Sequence, residues 1–134
     1  MGIFFWSAKG DRIRVSSVAS LEEATLLTTD VKPECYGERH SGVDRLLRRV
    51  ARQRGWGDCY GYALVASGAA EIMLDPLLNP WDAAALVPIM EEAGGIFVDW
   101  SGQSSIYGGS GIATSKALLP KVLEVLGVPL RDRP

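Results

Sequence analysis

The chain is predicted to form an α/β layered sandwich, a mixed and partly parallel sheet flanked by helices. Short β-favouring runs alternate with helix-period segments along most of its length. The helical segments open and close on capping residues and prolines, and strand-like runs stop at breaks such as Asp75-Pro76. No internal repeat, low-complexity stretch or linker divides it, so one domain over 1-134 is expected.

Taking the elements in order, Arg12-Ile13-Arg14-Val15-Ser16 alternates polar and apolar residues and reads as a strand. Thr25 to Thr29 is a second, bounded by Asp30 and Pro33. Between them Ser20-Leu21-Glu22-Glu23 has the spacing of a capping box, which predicts a helical turn. From Ser41 to Arg54 apolar Val43, Leu46, Leu47 and Val50 recur every three or four residues, giving an amphipathic helix ended by Gly55. Its arginines read as a solvated face, and His40 before it as a surface residue. Tyr60 to Ser67 is nearly all apolar, with Asp58 as N-cap and Gly68 as C-cap, and reads as a buried helix. A strand at Ala70 to Leu74, a helix at Pro80 to Ala93 with proline in its first turn, and a strand at Gly95 to Trp100 follow. A glycine-rich loop, Gly108 to Gly111, enters a strand, and a last helix runs from Ser115 to Leu126 with Thr114 or Ser115 as its cap. That loop lacks the Gly-Lys-Ser/Thr ending of a phosphate-binding P-loop. The tail from Arg131 to Pro134 is expected to fray.

Composition narrows the function classes. With 134 residues and 47% hydrophobic content the chain can build a core. Its 14 Lys and Arg against 16 Asp and Glu leave a net charge of −2, which offers no field for nucleic acid or an anionic membrane. Ile3-Phe4-Phe5-Trp6 is too short for a signal peptide or a bilayer span, and Trp6 occupies the position where an N-myristoylation motif needs Ser or Thr. Two cysteines, Cys35 and Cys59, make no disulfide framework, and a reducing cytoplasm is the expected location.

Open α/β sheets place ligands beyond the carboxyl ends of their strands. Three aspartates qualify: Asp75 follows a strand, Asp82 lies in the first turn of the helix after Pro80, and Asp58 opens the Tyr60 helix. A helix start favours a carboxylate, a phosphate, or both bridged by a metal. Each also has a structural reading: Asp58 as N-cap, Asp75-Pro76 as turn initiator, Asp82 as compensation of the helix dipole. Magnesium usually takes one or two carboxylates with phosphate and water, so a lone Asp is part of a site.

Gly-Asp-Arg-Ile-Arg-Val-Ser at 10–16, Gly-Asp-Cys-Tyr-Gly-Tyr at 57–62, Pro-Trp-Asp-Ala-Ala at 80–84 and Glu-Glu-Ala-Gly-Gly-Ile-Phe-Val-Asp-Trp-Ser-Gly at 91–102 follow one another in this order. From about 10 to 126 the chain resembles the C-terminal half of the inositol monophosphatase family, magnesium-dependent phosphatases of sugar and polyol phosphates, and most closely its histidinol-phosphatase branch. The resemblance implies that Asp82 binds a catalytic Mg2+, that Asp75 contacts the hydroxyl or amine end of a small phosphate monoester, and that Asp58, with Gly57 and Cys59, lines the substrate pocket. An acidic residue at 58 suits the ammonium of histidinol phosphate.

The family's other metal ligands, including an Asp-Pro-x-Asp-Gly-Thr motif, belong to an N-terminal half. Asp75-Pro76 here continues as Leu77-Leu78-Asn79 instead. The expectation is a truncated reading frame or cloned C-terminal portion, because Met1 to Lys9 reads as the middle of a fold; the alternative is a module completed by a separate N-terminal half or a homo-oligomer. Two other functions stay open: an inositol-1-phosphate phosphatase, or a non-catalytic binding or assembly module that keeps the fold.

Overall fold

In the computed structural model, which describes residues 7–129, alternate apolar positions along each inner strand decide the architecture. Side chains of a strand point to opposite faces with a period of two. Leu26, Ile72, Leu74, Ile96, Val98 and Ile112 lie in one buried cluster, and their neighbours Leu27, Met73, Phe97 and Ala113 in another. A sheet apolar on both faces must be covered on both.

Five strands make that sheet: β1 (Thr25–Thr28), β2 (Arg52–Gly55), β3 (Ile72–Asp75), β4 (Gly95–Val98) and β5 (Gly111–Ser115), in the order β2-β1-β3-β5-β4. β1 pairs in parallel with β2 and β3, while β5 is antiparallel to both β3 and β4. Four strands therefore share one direction and β5 alone opposes them, the mixed sheet that was expected. Helices α1 (His40–Arg49) and α4 (Leu119–Leu126) supply Val43, Leu46, Val122 and Leu123 to the first cluster. Helices α2 (Asp58–Ala66) and α3 (Pro80–Glu92) supply Tyr62, Val65, Leu86 and Met90 to the second. Each such aliphatic side chain taken fully from water contributes about 1.5–3 kcal/mol.

Several boundaries differ from expectation, each for a local reason. The helix from Ser41 ends at Arg49, and Arg52–Gly55 crosses to pair with β1. Its Arg-Gln-Arg-Gly sequence carries no strand signal, because as the sheet's edge it is exposed at all four positions and charges there discourage stray pairing. Arg12 to Ser16 does not join the sheet; only Arg12 has a bridge, and Ile13 and Val15 lie against the second cluster instead. The strands at 70–74 and 95–100 are shifted or shortened to Ile72–Asp75 and Gly95–Val98. Residues 111–115 are consumed by β5, so the last helix starts at Leu119 and Ser115 Oγ accepts from the Leu118 N–H at 3.2 Å, one turn earlier than a cap. Ser20 makes no capping bond; its hydroxyl donates to Glu22 beside a 3₁₀ turn, Leu21–Glu23. A second 3₁₀ segment, Pro33–Arg39, falls where no periodicity existed to find it.

The α2 helix is buried on one face only, through Gly61, Tyr62, Val65 and Ala66, with Tyr60 half exposed to solvent. Arg48 pairs with Asp44 and Arg49 with Glu22, both at 2.9 Å on the surface, which agrees with a solvated arginine face. His40 is exposed, and so are both cysteines, which are free thiols. No helix among the described residues is long and apolar enough to cross a membrane. The apolar run at 3–6 and the tail at 131–134 lie outside the described residues.

Where α1 crosses α4, Gly42 allows backbone contact: a Cβ there would stand 2.6 Å from the Leu126 carbonyl oxygen. In an open helix Gly→Ala stabilises by about 1 kcal/mol. Here the clash is with backbone, which cannot rotate away, so Gly42→Ala is expected to destabilise by about 1–3 kcal/mol, read as a lower urea midpoint at unchanged slope.

Candidate functional site

Thr28, Gly55, Asp75 and Val98, the last residues of the four co-directional strands, come to one edge of the sheet, and register places Gly111, the first residue of β5, opposite Asp75. The loops leaving this edge carry the expected site residues. Asp75 ends β3; Gly57, Asp58 and Cys59 open α2; Asp82 lies in the first turn of α3.

Asp75 is buried, 4% exposed, although it ionises in water. Burial is the main reason its carboxyl is pushed up to about 6. The Leu77 N–H and the Thr29 hydroxyl bond to it and act the other way, while the charges of Asp58 and Asp30 push it further up. The structure thus brings Asp58 and Asp75 into one electrostatic neighbourhood and adds Asp30. Asp30 lies two residues beyond the end of β1, and Asp75 is the last residue of β3, so a strand-end rule read a little more broadly would have found both.

Asp58 is not the N-cap. That position is Gly57, with φ −84° and ψ 175°, and no side chain caps the helix. Asp58 instead is the only non-glycine residue among those described with positive φ, 54°. Holding a residue in the left-handed region costs on the order of 1–3 kcal/mol and persists where surrounding structure enforces it, often at functional sites. Next to it Trp56 and Tyr60, both exposed, stand with ring centroids 5.3 Å apart.

The start of the loop between β4 and β5 is organised by Asp99, whose Oδ1 accepts from the Ser101 N–H (2.8 Å), the Ser101 hydroxyl (2.6 Å) and the Gln103 N–H (3.1 Å). Trp100 Nε1 donates to the Gly111 carbonyl at 3.2 Å, and its ring lies 5.2 Å from both the Tyr36 ring and the Arg39 guanidinium. Arg39 also donates to the Trp100 carbonyl. Tyr36 hydrogen-bonds Thr28, and burial pushes its hydroxyl up to about 12. A cavity of about 180 Å³ between Tyr36, Arg39, Pro76, Trp100 and the glycine-rich loop adjoins Asp75 through Pro76 but contains none of the expected site residues.

Asp82 is exposed, one helix start away from Asp75. Among the described residues no group of three or more His, Cys, Asp or Glu is arranged to hold a metal ion. A divalent cation of the kind the resemblance implies finds one free carboxylate at the start of α3, which is less than its usual set of ligands.

A model of the inositol monophosphatase family matches residues 1–128, a little more than the 10–126 expected. The histidinol-phosphatase of Chlorobaculum parvum is 38% identical over 125 residues, which are 92% of this chain and 48% of that protein. The histidinol-phosphatase of Mycobacterium tuberculosis is 36% identical over 87% of this chain and 45% of its own length. Among solved structures, an inositol monophosphatase from Zymomonas mobilis superposes with a TM-score of 0.79 at 30% identity, over 89% of this chain and 48% of that one. The chain spans about half the length of the relatives it matches, and its sheet and flanking helices are those of their fold. This chain belongs to the inositol monophosphatase family.

Proposed function

We propose that the chain is the C-terminal portion of a magnesium-dependent phosphate monoester hydrolase acting on histidinol phosphate, and that its own part is substrate selection. The observation that carries the reading is the pair Asp58 and Asp75 at the strand-end crevice, backed by Asp30. Clustered carboxylates raise each other's pKa unless a cation joins them, and an ammonium supplies one with charge-assisted hydrogen bonds. Relatives of that name support the choice over a neutral polyol phosphate.

Asp82 is the residue that would hold magnesium, whose bound form favours hard oxygens and neutralises phosphate charge. One carboxylate is a partial set, so no hydrolytic step is assigned within this chain. The remaining ligands are proposed to come from an N-terminal half. Leu77, Trp81 and Tyr107 are each more than three-quarters exposed, two of them on the segment that carries Asp82, and so much apolar surface suits a docking partner.

The purified chain with magnesium is therefore expected to release no more phosphate from histidinol phosphate than its Asp82→Asn variant. Adding the N-terminal half of the Chlorobaculum parvum relative should produce magnesium-dependent release that Asp82→Asn abolishes; release indifferent to magnesium or to residue 82 contradicts the reading.

Substrate choice gives a second test. Loss of a hydrogen bond to a charged group is worth about 1.5–3 kcal/mol, so in the complemented enzyme Asp58→Ala should cut the kcat/KM preference for histidinol phosphate over inositol 1-phosphate by about 10-fold or more. Asp58→Gly should do the same while stabilising the fold by about 1 kcal/mol, since glycine accepts φ 54° freely.

The third concerns pH. Because the folded pKa of Asp75 lies above the unfolded value, the folded state binds more protons than the unfolded state between about pH 4 and 6, and stability falls as pH rises through that window. The penalty is absent below it and fully present above. Asp75→Asn should raise stability by about 1–2 kcal/mol at pH 7.5 and change it little at pH 3.5, measured by thermal unfolding at the two values.

A further inference from the structure

Tyr62 has no role in the proposed substrate selection, yet its hydroxyl is the only buried side-chain polar atom among the described residues without a hydrogen-bond partner. An orphaned buried donor costs about 1–3 kcal/mol, so a tyrosine kept where phenylalanine would serve needs a reason. Its ring packs against Phe97, with centroids 6.1 Å apart, in the core between the sheet and helices α2 and α3.

Three observations say where the hydroxyl sits. Asp75 and Gly111 are register partners across β3 and β5, so their Cα–Cβ directions share one face. Met73 and Ala113, two residues along on the same face, belong to the cluster that contains Tyr62. The Tyr62 Oη lies 2.4 Å from the point a Gly111 Cβ would occupy. The missing methyl therefore leaves room for the hydroxyl beside Asp75. That carboxylate accepts from the Leu77 N–H and the Thr29 hydroxyl. Two oxygens offer about four lone-pair sites, so capacity for another donor remains.

We propose that Tyr62 is a positioning residue: its hydroxyl donates a hydrogen bond to the Asp75 carboxylate through one bridging water and so fixes which oxygen faces the substrate. The positioning role rests on the reading of Asp75 as a substrate contact; the bond itself does not. Burial and the charge of Asp75 both push the Tyr62 hydroxyl upward, so it stays protonated and can only donate to an ionised partner.

The test is a titration of the 134-residue chain labelled at the aspartate carboxyl carbon and the tyrosine ζ carbon, followed by NMR, with the Asp75 signal assigned by Asp75→Asn. The groups facing Asp75 are Asp30, Asp58, Tyr36, Tyr62 and the Thr29 hydroxyl. A donor to the ionised form holds a pKa down, so Tyr62→Phe should raise the Asp75 midpoint by about half to one pH unit and leave those of Asp30 and Asp58 in place. An unchanged midpoint in a folded Tyr62→Phe overturns the proposal. In the unsubstituted chain the Tyr62 ζ carbon must shift with the Asp75 midpoint; a flat signal through that range overturns it even if the variant fails to fold. Absence of phosphate release in the complemented enzyme would count against Asp75 as a substrate contact without touching either result.

Discussion

At the centre of the sheet β5 runs against β3, and the four register pairs from Ile72 with Thr114 to Asp75 with Gly111 hold the two halves of the molecule together. On one side β3 continues into the parallel pair β1 and β2; on the other β5 carries β4. The same ladder supplies Ile72, Leu74 and Ile112 to one core and Met73 and Ala113 to the other. It also ends at Asp75, so the pairing that completes both cores delivers a carboxylate to the open edge with a glycine opposite it. Moving that register by one residue would turn both apolar sets to the wrong faces, and Asp75 with them.

Three local departures from what folding alone favours collect at this edge. Asp75 is a buried carboxylate, Asp58 holds a positive φ, and Tyr62 keeps an unpartnered hydroxyl. Each works against stability by an amount comparable with a sizeable fraction of a domain's net stability. Elsewhere the buried positions are overwhelmingly apolar and satisfied. A concentration of unfavourable choices at the carboxyl ends of the strands is what a binding site produces, because groups prepared for a ligand are incompletely satisfied without it.

Legibility followed the size of each residue's local signal. Short β-favouring or apolar runs made β1, β3 and β4 readable, and capped or periodic apolar segments made α1, α2 and α3 readable, to within a few residues apart from the C-terminal end of α1. The alternation at Arg12 to Ser16 did not yield a strand of the sheet. β2 was missed because an exposed edge strand of Arg-Gln-Arg-Gly is selected by its neighbour's free backbone groups rather than by its own side chains. Asp75 and Asp82 were readable from position, as a strand end and a helix start. The conformation of Asp58 was not, since Gly57 takes the capping role that an aspartate ordinarily claims. Tyr62 was invisible for the opposite reason: inside an apolar helix a tyrosine looks like core, and only register across β3 and β5 reveals what its hydroxyl faces.

Both faces of the sheet are covered by the chain's own helices, α1 and α4 on one side and α2 and α3 on the other. On those two faces the cores are closed by the described residues themselves. Along α3 only Ala83, Leu86 and Met90 are buried, while Trp81 beside Asp82 is 76% exposed. A helix apolar nearly all round is ordinarily covered nearly all round, and here the uncovered side begins at Trp81 and Asp82. On the reading proposed above, the groups that complete the site at Asp82 would dock on this uncovered surface.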